Sequence, residues 1–222
     1  MKSRHKTLGL ALAVAGAAVS YRNVARTRCL TWGARELDVT RVMPGDELIT
    51  HPDIVSTRAI SIGAPPAAIW PWLVQMGSGR GGVYTYDWIE NLFGLNMHSA
   101  NEILPQFQDL QEGDVQALGD KGPRMRVVTL DPERHLVLFS DDAHWVWSFG
   151  LYPTDEDQTM LVSRNRIILG DWSAPARLAY QVLMEPGSLI MERKMLLGIK
   201  QRAEGMLSGR RAHATGAIVE SG

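Results

Sequence analysis

The order of segments predicts an α+β fold: one early strand, two short helices, a run of antiparallel strands, and a long amphipathic helix towards the C-terminus. Three observations predict it. Apolar residues alternate with period two between residues 124 and 169, prolines open helical stretches on either side of that block, and a broad apolar stripe at helical spacing follows Ser188.

Residues 54–62 (IVSTRAISI) are β-branched and roughly alternating, which predicts the first strand. Ala64-Pro65-Pro66 then opens a helix, because proline is tolerated in the first turn, where the N–H has no partner. That helix runs to Met76 and stops at Gly77; Pro71 inside it deletes one backbone bond and predicts a kink or a tightened turn. Residues 77–82 (GSGRGG) read as a flexible loop. A second short helix passes through Tyr86, Trp88, Ile89, Leu92 and Phe93 to Gly94. Residues 96–113 form a long connection, in which Leu104-Pro105 closes the option of continued helix.

Strands are predicted at 124–130, 136–140, 144–152 and 159–169, separated by turn-rich clusters, so an antiparallel meander follows. Trp145, Trp147, Phe149 and Leu151 share one face of the third of these. If Leu161 and Ile167 of the next strand face inward, Ser163 and Asn165 do too. Ser173-Ala174-Pro175 starts another helical stretch, Pro186-Gly187 interrupts it, and Ser188 caps a helix to about Leu207. About twenty residues make ~30 Å of helix, enough to cross a curved sheet. The reading divides the chain into a basic N-terminal tail (1–30), one folded domain (31–208) and a disordered tail (209–222).

Composition narrows the function classes. With 222 residues, 45% hydrophobic content, 21% charge and net charge −1, the chain fits one globular domain plus tails, not a disordered or collagen-like polymer. The single Cys29 excludes an intramolecular disulfide, and six scattered histidines leave no sulfur-based zinc framework. Residues 1–28 carry six basic side chains and no acid, whereas the remainder holds 17 basic against 24 acidic residues. A folded part with that balance argues against nucleic acid as the main partner. Within the basic end, residues 8–21 (LGLALAVAGAAVSY) are uncharged and mostly apolar. As a helix they span ~21 Å against ~30 Å of bilayer hydrocarbon, a marginal membrane anchor unless flanking arginines snorkel. A cleaved signal peptide, with Ala15-Gly16-Ala17 as the small-x-small site, and a disordered arm are the alternatives.

The local sequence around Ile69-Trp70-Pro71-Trp72-Leu73-Val74-Gln75-Met76-Gly77, Arg80-Gly81-Gly82 and Tyr84-Thr85-Tyr86-Asp87-Trp88 resembles uncharacterised bacterial members of the SRPBCC superfamily. Thr31-Trp32-Gly33-Ala34 and Met191-Glu192-Arg193-Lys194-Met195 carry the same resemblance, which covers about residues 31–207. This superfamily includes START lipid-transfer domains, the birch-pollen allergen group and polyketide cyclases. The resemblance implies a helix-grip fold, in which a curved antiparallel sheet wraps a long C-terminal helix, and a hollow between them. It implies no single reaction.

Seven tryptophans and ten methionines suit a pocket for a hydrophobic guest, since indoles offer flat apolar area and thioethers adapt to irregular shapes. The candidate ligand-contacting residues are Trp72, Arg80, Tyr84, Tyr86, Trp88, Trp145, Trp147, Phe149, Ser163, Asn165, Met191 and Met195; the competing reading of the large apolar ones is plain core. Arg80, in its glycine loop, has the planar fork to hold a carboxylate or phosphate, although the loop lacks the Walker Gly-Lys-Ser/Thr ending. Asp87 and Glu90 lie three apart, a spacing compatible with acid–base work or with simple ion pairing. Asp141, Asp142 and His144 are a weak oxygen-rich cluster, and no metal or cofactor is expected. No G-x-S-x-G nucleophile elbow exists. The expected function is binding, for carriage or sensing, of a hydrophobic or amphipathic small molecule or lipid by a membrane-tethered domain. One alternative is a cyclase or aromatase using Arg80, Tyr86 and Asp87; another is a membrane-associated assembly or stress factor that holds a protein partner.

Overall fold

In the computed structural model, which describes residues 25–92, 94–119, 122–155 and 157–220, six antiparallel strands form one sheet. In chain order they are β1 (Ile54–Ile62), β2 (Val115–Ala117), β3 (Arg124–Asp131), β4 (His135–Ser140), β5 (Trp145–Asp155) and β6 (Gln158–Ile167). The spatial order is β1-β6-β5-β4-β3-β2. Strands β2 to β6 are the meander that turn-rich links dictate. β1 closes it by pairing with the last strand, from Ile54 opposite Ile167 to Ile62 opposite Thr159. β2 has no counterpart among the predicted strands: three residues are too short to show an alternating pattern, and it exists by pairing with β3 at the sheet edge.

The helices are α1 (Arg26–Leu30), α2 (Glu36–Thr40), α3 (Pro66–Val74), α4 (Asp87–Leu92), α5 (Ala174–Ala179) and α6 (Glu185–Glu220), with a π-helical turn at Tyr180–Met184 joining the last two. Pro71 lies inside α3, whose nine residues continue past it to Val74. Pro186 and Gly187 do not break a helix as predicted. They lie within a continuous helical run at the start of α6, where the π turn just before them accommodates the proline that lacks an N–H. α6 also continues to Glu220, through the segment expected as a disordered tail from residue 209. No proline follows Pro186, and the later glycines each disfavour helix by only about 1 kcal/mol.

Alternation gives the sheet two apolar faces. On the concave face Met125, Val127, Leu136, Leu138, Phe149 and Leu161 pack with Met195, Leu196, Ile199 and Ala203 of α6 and with Ile69, Trp72 and Leu73 of α3. The convex face is covered by residues 31–53, the stretch read as an irregular lead-in: Met43 packs with Ala59, Met160 and Val162, and Ile49 with Val137 and Val146. Arg164 of β6 fastens that cover. Its Nη1 donates to Asp46 Oδ2 and to the Arg41 carbonyl, both at 2.7 Å, and its Nη2 to the Asp38 carbonyl at 2.8 Å.

Among the described residues no helix is long and apolar enough to cross a membrane. The apolar segment 8–21 lies outside the described residues.

Candidate functional site

Between the sheet, α4 and the first turns of α6 lies a hollow of about 530 Å³, within the ~300–1,000 Å³ range of small-molecule sites. Its walls are mostly apolar: Ile54 of β1, Trp145 and Trp147 of β5, Ile167 of β6, Ile89 of α4, and Met191 and Met195 of α6. Leu30, the last residue of α1, and Met184, the last of the π turn, also line it. The polar lining comprises Ser56, Thr85, Glu90, His144, Asn165, Tyr180, Glu185, Ser188 and Glu192, with no lysine or arginine among the described residues.

The two indoles are placed by ring packing and by hydrogen bonds. Trp145 and Trp147 stack with centroids 5.5 Å apart, and Phe149 tilts against Trp147 at 4.8 Å. Trp147 Nε1 donates to Ser163 Oγ at 2.9 Å and Trp145 Nε1 to Asn165 Oδ1 at 2.8 Å. Both partners then lead to one buried carboxylate on α6. Ser163 Oγ donates to Glu192 Oε1 at 2.6 Å, and Asn165 Nδ2 lies 3.2 Å and 3.3 Å from its two oxygens. Arg58, fully buried on β1, completes the set with an ion pair from Nη1 to Glu192 Oε2, a bond from Nε to the Cys29 carbonyl and one from Nη2 to Ser188 Oγ. One network therefore joins α1, three strands and α6, and fixes the orientation of both tryptophans. A second ion pair, Arg26 with Glu185, ties α1 to the start of α6.

Glu90 stands apart from this network. It is 6% exposed on α4, and its Oε2 and the Thr85 Oγ1 beside it are both buried, outside hydrogen-bond geometry with any other group among the described residues. Burial pushes the Glu90 carboxyl above the usual carboxylate range; the Thr85 hydroxyl opposes that rise and the Asp87 charge adds to it.

Of the residues singled out from sequence, Trp145, Trp147, Asn165, Met191 and Met195 line the hollow. Ser163 lies behind the indole of Trp147, which it orients. Phe149 is fully buried core. The others stand elsewhere for local reasons. Arg80 Nη2 donates to the carbonyls of Val74 and Phe107, both at 3.0 Å, and its guanidinium lies over the Phe107 ring; burial lowers its pKa. It braces the glycine loop and is not in the lining of the hollow.

Tyr84 Oη donates to the Trp72 carbonyl at 2.9 Å, and burial raises its hydroxyl above the ordinary phenol range. Trp72 itself lines a separate, smaller-walled recess with Pro71, Ile103, Arg202 and Met206. Asp87 accepts from the Ser99 amide at 2.8 Å and from Ser99 Oγ at 2.6 Å, so it anchors the long connection. Tyr86 lies beneath Lys194, and Trp88 is 70% exposed. Asp141 pairs with Arg124 and Arg126, and Asp142 accepts from Ser140 and the His144 amide. Among the described residues no three side chains gather as a metal site.

Glu192 and Arg58 were not assigned a role from sequence. A signal existed for each: Glu192 shares a helical face with Leu196, Ile199 and Ala203, and Arg58 alternates in step with Ile54 and Ile62 on the inward face of β1.

The antiparallel sheet closed on a long C-terminal helix, with an apolar hollow between them, is a helix-grip architecture. Neither the family models nor the curated proteins give a match. Solved structures similar to this chain include a polyketide-cyclase-like protein of Corynebacterium glutamicum (14% identity, TM-score 0.41, covering 69% of this chain and 93% of that one). Another is the Zhui aromatase/cyclase of Streptomyces sp. R1128 (15% identity, TM-score 0.43, covering 68% and 93%). The fold assignment rests on the strand order and helix described above.

Proposed function

We propose that the protein binds a hydrophobic or amphipathic small molecule in this hollow, for carriage or sensing, and that the segment 8–21 tethers it to a membrane. The observation that carries the reading is a 530 Å³ space walled by oriented indoles, thioethers and aliphatic chains, with its polar groups few and grouped. Such a site gains affinity from apolar burial, at ~25 cal/mol per Å², and orientation from the polar groups. Leu30 and Met184 bring the first and last of the helices around the hollow to its wall, so a guest also bridges α1 to the π turn. A cyclase-like reaction is the second reading. It draws on Glu90 and Glu192, two of the three carboxylates that line the hollow, because Arg80, Tyr86 and Asp87 are absent from its lining.

Native mass spectrometry of the full chain tests the reading, with extraction and identification of whatever departs on denaturation. The wild-type chain is expected to carry an added small-molecule mass, and Met191→Trp, which fills the hollow from α6, to lose it while keeping a native circular dichroism spectrum. A wild-type chain that carries no added mass and takes up no long-chain alcohol, amine or acid overturns the proposal.

A further inference from the structure

Three carboxylates line the hollow, and two of them are already neutralised from behind: Glu185 by Arg26 and Glu192 by Arg58. Glu90 has no cationic partner among the described residues, although it is nine-tenths buried. Its Oε2 and the neighbouring Thr85 Oγ1 are both buried in the wall of the hollow, the hydroxyl close enough to act on the carboxyl, and neither meets hydrogen-bond geometry with a further group among the described residues. Native proteins rarely bury a carboxylate with only a neutral hydroxyl beside it and no counter-charge, and on a pocket wall such a group marks a position that a ligand completes.

We propose that Glu90 and Thr85 receive the polar end of the guest, and that this end is a cationic amine, so that the hollow takes amine-bearing amphiphiles and rejects anionic ones. This inference rests on the binding reading given above. An ammonium brings three donors and no acceptor, so it serves Glu90 Oε2 and Thr85 Oγ1 together and leaves nothing on the ligand unsatisfied. Its charge also holds Glu90 in the ionised form that burial disfavours. A carboxylate head brings acceptors only and meets three wall carboxylates with no lysine or arginine among the described lining residues. An alcohol, with one donor and no charge, falls between. The apolar walls accept the hydrocarbon of all three alike, so the head group alone sets the ranking.

The test is titration of the full-length chain with dodecylamine, dodecanol and dodecanoate below their aggregation limits, read by the fluorescence of Trp145 and Trp147 and by calorimetry. Dodecylamine is expected to bind about tenfold tighter than dodecanol, as one charge-assisted hydrogen bond provides, with dodecanoate weakest. Glu90→Gln removes the amine's lead over dodecanol, and Thr85→Val reduces that lead. Should Glu90→Gln fail to fold, the wild-type ranking and Thr85→Val decide. Equal affinities, tightest binding of dodecanoate, or an amine preference that survives Glu90→Gln overturns this inference while leaving the binding reading intact. Binding of none of the three overturns both.

Discussion

Removing either member of the buried Arg58–Glu192 pair should destabilise the fold strongly, and removing both should cost much less than the two separate losses combined. In Glu192→Gln the guanidinium of Arg58 stays fully buried, held only by the Cys29 carbonyl and Ser188 Oγ. In Arg58→Met the Glu192 carboxylate keeps Ser163 and Asn165 as donors but loses its counter-charge. An unpaired buried charge costs roughly 3–5 kcal/mol, so each single variant is expected to lose that much. The double variant buries no net charge, and its glutamine still accepts from Ser163. Its cost should fall short of the two single losses combined by at least ~2 kcal/mol, the coupling typical of contacting residues in one network. Urea unfolding, followed by tryptophan fluorescence and by circular dichroism, measures all four proteins. Losses that add to within ~0.5 kcal/mol would show that the two groups do not hold one another and that the indoles are set by packing alone.

Two further outcomes follow from local geometry and from charge. Gly82 has φ +68°, and an added Cβ would lie 2.8 Å from the His98 carbonyl oxygen and the Ser99 Cα, so Gly82→Ala should lower stability by about 2 kcal/mol or more; a thermal melt within a degree of wild type contradicts this. Titration gives opposite signs at two carboxylates. The Arg35 side chain holds Asp38 below the usual carboxylate range, so its contribution is present above that range and disappears as pH falls through the depressed value. Burial raises Glu90, so the ligand-free fold is favoured at this site below the ordinary glutamate range and loses that contribution as pH rises through the raised value. Asp38→Asn should therefore flatten the acid limb of the stability curve, whereas Glu90→Gln should raise the urea midpoint near neutral pH and leave it unchanged in acid.

What could be read from residues alone was whatever period and punctuation encode. The alternation of 54–62 and 145–151, and the prolines that open α3 and α5, place those elements within three residues of where they stand. The same alternation put Trp145, Trp147, Ser163 and Asn165 on one face, and β5–β6 register joins them by hydrogen bonds. Pro186-Gly187 was misread because a proline that ends a helix and one that a preceding π turn accommodates look alike in sequence. The lead-in 31–53 carries no regular pattern because its order is imposed from outside, by the convex face and by Arg164.

The site divides along the same line. Local sequence determined the strands, the long helix, and which side chains share a face, since steric periodicity within a segment suffices for those. Tertiary structure alone decided that Glu192 meets Arg58 across 134 residues, that Arg80 and Asp87 turn to backbone partners away from the hollow, and that Glu90 is buried with no cationic partner among the described residues. A charge's role is set by what lies within a few ångströms of it in space, where the low dielectric of the interior makes each pairing or its absence costly.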